Sequence, residues 1–181
     1  LQTIRLKGEN MRIVFLLFVM LTACFLDAPS IDAASDPGGF LGLKWSQSPA
    51  ECKKLGFCSS DEIKPGDKLA SEIIFKGKTT VIDGVELRFS SFAFNNSKYY
   101  LGTAAFDSSA NSYDTLKNAL IAKHGKPTVT TSAASSWTIG KTRVLLTNDK
   151  STGALMYANI PMFTEVAKAK KYPLPKVPTK K

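Results

Sequence analysis

Histidine is nearly absent: the chain has one, His124, in 181 residues. A Ser-His-Asp triad would have to use it, and no Gly-x-Ser-x-Gly elbow occurs. Nor does any serine have a lysine three residues later, as the Ser-x-x-Lys acylation motif requires. Cysteine is also scarce, with three in the chain. Zinc needs four protein ligands, or three and a water, and Cys52, Cys58 and a distant His124 make a poor set. Asp61, Glu62 and Asp67 fit no calcium-loop spacing and read as a solvated loop. The residue inventory therefore assigns no catalytic residue, no metal and no cofactor.

Nucleotide chemistry fares no better. Gly77–Lys78–Thr79 and Gly140–Lys141–Thr142 match the end of a phosphate-binding loop. The required leading glycine falls on Glu72 and Ser135, so both read as hairpin turns. The net charge of +9 suggests a polyanion partner, but six lysines and no acid lie from Lys168 onward. Without those six the remainder carries only +3. Trp45, Trp137, Tyr99, Tyr100 and Phe106 could form a stacking platform, yet aromatics on strands are most often core. Basic residues do not interleave with them densely, so nucleic acid is not an expected partner.

One long apolar run is present. Arg12 precedes an uninterrupted stretch from Ile13 to Met20 and Leu21, and the run ends at Leu26 at the latest. A cationic start, a short apolar centre and small residues beyond it describe an export signal over residues 1–33, with Met11 as its natural start. The run is shorter than the roughly 17–25 residues of a spanning helix. Two processing points compete. Leu21–Thr22–Ala23–Cys24 resembles a bacterial lipobox, which would lipidate Cys24, although Phe25 and Leu26 keep the following residues apolar. Ile31–Asp32–Ala33 offers a cut before Ala34 or one residue later. Either places the protein in the periplasm, soluble or lipid-anchored. There Cys52 and Cys58 are expected to form a disulfide, because export exposes both thiols to oxidation.

Asp36–Pro37–Gly38–Gly39 reads as part of a linker over 34–39, and Phe40 opens a domain over 40–162. Ser48–Pro49–Ala50–Glu51 is a capping box with proline at the first helical position, and Gly56 ends that short helix. Strands are expected at Leu69–Lys76, Thr80–Phe94 and Lys98–Asp107. In the middle stretch Val85, Leu87 and Phe89 alternate on one phase, whereas Phe92 and Phe94 fall on the other, which predicts a β-bulge at Ser90–Ser91. A second helix follows, capped by Asn111 or Ser112, with Asp114 in its first turn. It carries Tyr113, Leu116 and Leu120 on one face and stops at Gly125 and Pro127. Three further strands are expected at Thr128–Ile139, Lys141–Thr147 and Ala154–Ile160. This order predicts an α+β fold: two α-β-β-β repeats, about 40–107 and 108–162, forming an antiparallel sheet with both helices on one face. Met162–Lys171 is a further helical stretch, and prolines at 173, 175 and 178 make the last residues an extended basic tail.

Phe40–Leu41–Gly42–Leu43–Lys44–Trp45 followed by Ser48–Pro49–Ala50–Glu51 resembles the opening of small exported bacterial domains of unknown function. The second helix, closing on Lys123–His124–Gly125–Lys126–Pro127 with Trp137 downstream, continues the likeness over about residues 40–160. Ser46 stands where glycine is commoner, and His124 where tyrosine is. The arrangement is also similar to β-lactamase-inhibitor proteins and to a small outer-membrane assembly lipoprotein. That resemblance implies a protein-binding or adaptor role, with another envelope protein as partner. The alternative is an anionic membrane or cell-wall partner held by Lys168, Lys170, Lys171, Lys176, Lys180 and Lys181. A hydrolase using scattered carboxylates is a third reading.

Overall fold

The computed structural model describes residues 35–63, 72–149 and 151–169. The expected export signal over residues 1–33, Cys24 and Lys170, Lys171, Lys176, Lys180 and Lys181 lie outside them. A small hairpin, β1 (Gly39–Phe40) and β2 (Leu43–Lys44), opens the described chain. Helix α1 (Pro49–Lys54) follows from the expected capping box: the Ser48 hydroxyl accepts from the Glu51 amide, and Glu51 returns to the Ser48 amide. Leu55 closes it and Gly56, at φ 77°, lets the chain turn away.

The remaining strands are β3 (Cys58–Ile63), β4 (Glu72–Gly77), β5 (Val81–Ile82), β6 (Val85–Asn95), β7 (Lys98–Asp107), β8 (Val129–Thr130), β9 (Ala134–Ile139), β10 (Thr142–Asn148) and β11 (Thr152–Asn159). They form one antiparallel sheet ordered β3-β4-β6-β7-β11-β10-β9-β8, with β5 paired to β6. Helix α2 (Ala110–His124) connects β7 to β8, and α3 (Ile160–Ala169) continues from β11. The α+β class and the antiparallel sheet are as the sequence predicts.

Several local expectations shift. Asp61 and Glu62, read as loop, lie in strand β3. The single strand Thr80–Phe94 breaks at Asp83–Gly84, whose φ values of 48° and 81° are those of a tight I′ hairpin turn. The expected slip in β6 exists, but its pairing irregularity falls between Leu87 and Phe89, upstream of Ser90. Phe89 thereby joins Ala105 on the opposite face from Leu87 and Phe106. A second irregularity, between Ala93 and Phe94, sits at the other end of the β6–β7 pairing. The cap of α2 is Ser109, whose side chain accepts from the Ser112 amide, so the helix starts ahead of Asn111 and Asp114 misses its first turn. The helix expected over Met162–Lys171 begins at Ile160, where Asn159 accepts from the Met162 amide.

The two sheet faces differ in what they bury. On one, Phe75, Phe92, Phe94, Phe106, Trp137, Val144, Leu155 and Tyr157 form a single cluster. Cys52 of α1 and Tyr113, Leu116 and Leu120 of α2 belong to that same cluster. Strand alternation sends Ala93, Ala154, Met156, Ala158 and Leu145 to the other face. There α3 packs against β7 and β11, with Phe163, Val166 and Ala167 buried and the Phe163 ring 6.4 Å from that of Tyr100.

Candidate functional site

Cys52 and Cys58 form a disulfide across the end of α1 and the start of β3, with Cα atoms 5.5 Å apart. Both are buried. The bridge pins a six-residue helix, too short to be stable alone, to the sheet edge.

His124 is buried at the last turn of α2, and its Nε2 lies 3.2 Å from the Tyr157 hydroxyl. Burial first, and Lys123 second, hold its pKa below the usual imidazole value. Its Nδ1 has no hydrogen-bond partner. This is a packing histidine rather than an accessible base. Trp137, Tyr99, Tyr100 and Phe106 are fully buried core residues, so they form no stacking platform, while Trp45 is half-buried and stacks on Tyr99 at 4.9 Å. The Trp137 indole donates to the Gly125 carbonyl at 2.8 Å, tying β9 to the end of α2. Lys168 is exposed in the last turn of α3. Among the described residues, no three His, Cys, Asp or Glu side chains converge as metal ligands would, and no helix is long and apolar enough to cross a membrane.

The densest polar constellation is one that the sequence conceals. Gly140–Lys141–Thr142 forms the turn between β9 and β10, with Ile139 paired to Thr142. Gly140 has φ 55° and Lys141 a negative φ, the pattern of a II′ turn with glycine in the first central position. In such a turn the second central amide points away from the ladder. Here Lys141 donates that amide to Asp36 Oδ2 at 2.7 Å. The Thr142 hydroxyl donates to Asp36 Oδ1 at 2.6 Å, and Gly38 donates its amide to the same oxygen at 2.9 Å. Thr142 itself is fully buried, and its hydroxyl accepts from the Trp45 indole at 2.8 Å. Burial alone would raise the Asp36 pKa. The Thr142, Gly38 and Lys141 hydrogen bonds and the Lys141 charge outweigh it and hold the carboxyl below the usual range.

Other contacts gather at the same place. The Lys141 carbonyl accepts from the Ile160 amide at 2.8 Å, the Ser46 hydroxyl lies 3.7 Å from the Met162 sulfur, and Ser46 donates its amide to the Tyr99 carbonyl at 2.9 Å. The strap over residues 35–47, the β9–β10 turn and the start of α3 thus share one hydrogen-bonded knot. Asp36 reads as linker in the sequence because Asp-Pro-Gly-Gly is ordinary turn chemistry. Its partner lies 105 residues away, and no local pattern reports that.

Comparison with protein-family models, with curated proteins and with solved structures gives no match to this chain.

Proposed function

We propose that this chain is a non-enzymatic exported module that binds another protein of the cell envelope, with the sheet face opposite α1 and α2 as its recognition surface. The observation that carries the reading is the make-up of that face. From β4 to β7 it presents Ile74, Phe89, Leu101 and Ala105, all half-buried, while α3 packs against β7 and β11. A half-buried apolar surface on a rigid sheet suits a partner that completes the layer. The disulfide supports export, since such bonds persist in oxidising compartments. Burial of the single histidine beside Tyr157 supports a role without acid–base chemistry.

The strand order supports an internal two-repeat reading. About the central β7–β11 pair, β6, β4 and β3 on one side answer β10, β9 and β8 on the other. Each half would then be a helix followed by its strands, in the arrangement of the inhibitor-like domains the sequence resembles.

A pull-down from envelope extract tests the reading, using the parent chain, Phe89→Asp and a chain lacking residues 168–181. A protein partner retained at high salt and lost in Phe89→Asp is the expected result. Salt-sensitive retention on anionic vesicles that disappears with residues 168–181 would instead favour the tail lysines. Retention that is indifferent to both changes removes the sheet-face reading.

A further inference from the structure

We propose that the β9–β10 turn is a carboxylate-binding site filled in cis by Asp36, so that the short segment bearing Asp36 ahead of β1 acts as its displaceable plug. The receptor side of this contact is built before the carboxylate arrives. Thr142 is fully buried, and because its oxygen accepts from the Trp45 indole, its proton is left to point at the acceptor. The Lys141 amide is aimed outward by the turn geometry rather than used in the sheet, and the Lys141 carbonyl is anchored by the Ile160 amide. Gly140 answers two demands at once. Its φ of 55° favours glycine, and a Cβ there would fall 2.7 Å from Asp36 Oδ2, inside any tolerable contact. Backbone amide and hydroxyl donors converge on one oxygen pair, as in the backbone nests that hold anions.

The occupant, by contrast, lies ahead of the buried Phe40 and Leu43 that anchor the hairpin. Asp36 itself is exposed, and its contact with the turn closes a loop of more than a hundred residues by hydrogen bonds alone. Withdrawing residues 35–36 alone, with Trp45 still on Thr142, leaves oriented donors with the chemistry for a carboxylate from elsewhere, such as an acidic side chain or a free chain terminus. An untethered carboxylate lacks the strap's effective concentration, on the order of millimolar, and so binds more weakly.

Acetate is the probe, and the Trp45 indole N–H is the reporter. In Asp36→Ala, the Trp45 indole and Lys141 amide resonances should move saturably as acetate replaces chloride at constant ionic strength. In the parent chain, where Asp36 holds the site, they should not. Asp36→Ala that folds yet shows no saturable movement, or movement equal to the parent's, overturns the proposal. Should Asp36→Ala fail to fold, acetate should restore the native indole resonance where equal chloride does not, and failure of that rescue overturns it equally.

Discussion

The two faces of the sheet solve the same packing problem with opposite materials. The face under α1 and α2 is built from large rings. The Phe92 and Phe94 rings each lie 5.6 Å from that of Tyr99, and Phe40 reaches Tyr157 at 4.9 Å. The face under α3 carries Ala93, Ala154 and Ala158 around Met156 and Leu145. Rings fill the wide gap between a sheet and separately tethered helices. Alanines let a helix that leaves directly from β11 lie close against the sheet. Glycines mark where the ring face is tightest: a Cβ on Gly102 would strike Phe40 and the Tyr99 hydroxyl, and one on Gly153 would strike the Phe106 ring.

Removing a ring should therefore be the largest blow. Phe106→Ala should cost about 3–5 kcal/mol, because the ring is fully buried and covers Gly153. The shift in urea midpoint measures it, and a cost below about 1 kcal/mol would deny that this face dominates stability.

The disulfide staples α1 to the ring face. Replacing Cys52 and Cys58 by serine should cost about 2 kcal/mol from loop entropy over this short loop, without unfolding the domain. Thiol alkylation under denaturing, non-reducing conditions should label neither cysteine in exported protein.

The small-residue face should fail by the opposite mechanism. Ala158→Leu should destabilise by about 1–3 kcal/mol through overpacking beneath α3, whereas an enlarged side chain at the half-exposed Leu55 position has room. Comparing Ala158→Leu with Leu55→Phe in thermal melts checks the contrast.

A smaller effect depends on pH. Burial lowers the folded pKa of His124 below its ordinary value of 6.5, so the unfolded chain binds the proton more readily. Stability should be full above that value and fall as pH drops from 6.5 toward the folded pKa. His124→Gln should flatten this slope in denaturant titrations across the window. The least effect belongs to Lys168→Ala. It removes an exposed cation from the last turn of α3 and should cost at most about 0.3–1 kcal/mol at low ionic strength, less in salt.

Much of the fold was legible in short windows. The Ser48–Glu51 box, Gly56 and Gly125 act through neighbours a few residues away, so their residue types announce them. The phase slip in β6 was legible too, because alternation must break somewhere, but its position was not. Pairing with β7, rather than β6 alone, places the irregularity next to Leu87. Asp83–Gly84 carried a hairpin signal that the flanking apolar residues masked.

What the sequence determined by itself was the set of local conformations, the α+β class and the pairing of Cys52 with Cys58, since backbone sterics, caps and short loops depend on nearby residues. Tertiary structure alone decided the strand order, the side of the sheet that α3 covers and the meeting of Asp36 with Lys141 and Thr142. Those depend on surfaces brought together from distant parts of the chain. A carboxylate in a linker and a lysine amide in a turn have no signature in common until the sheet sets them 2.7 Å apart.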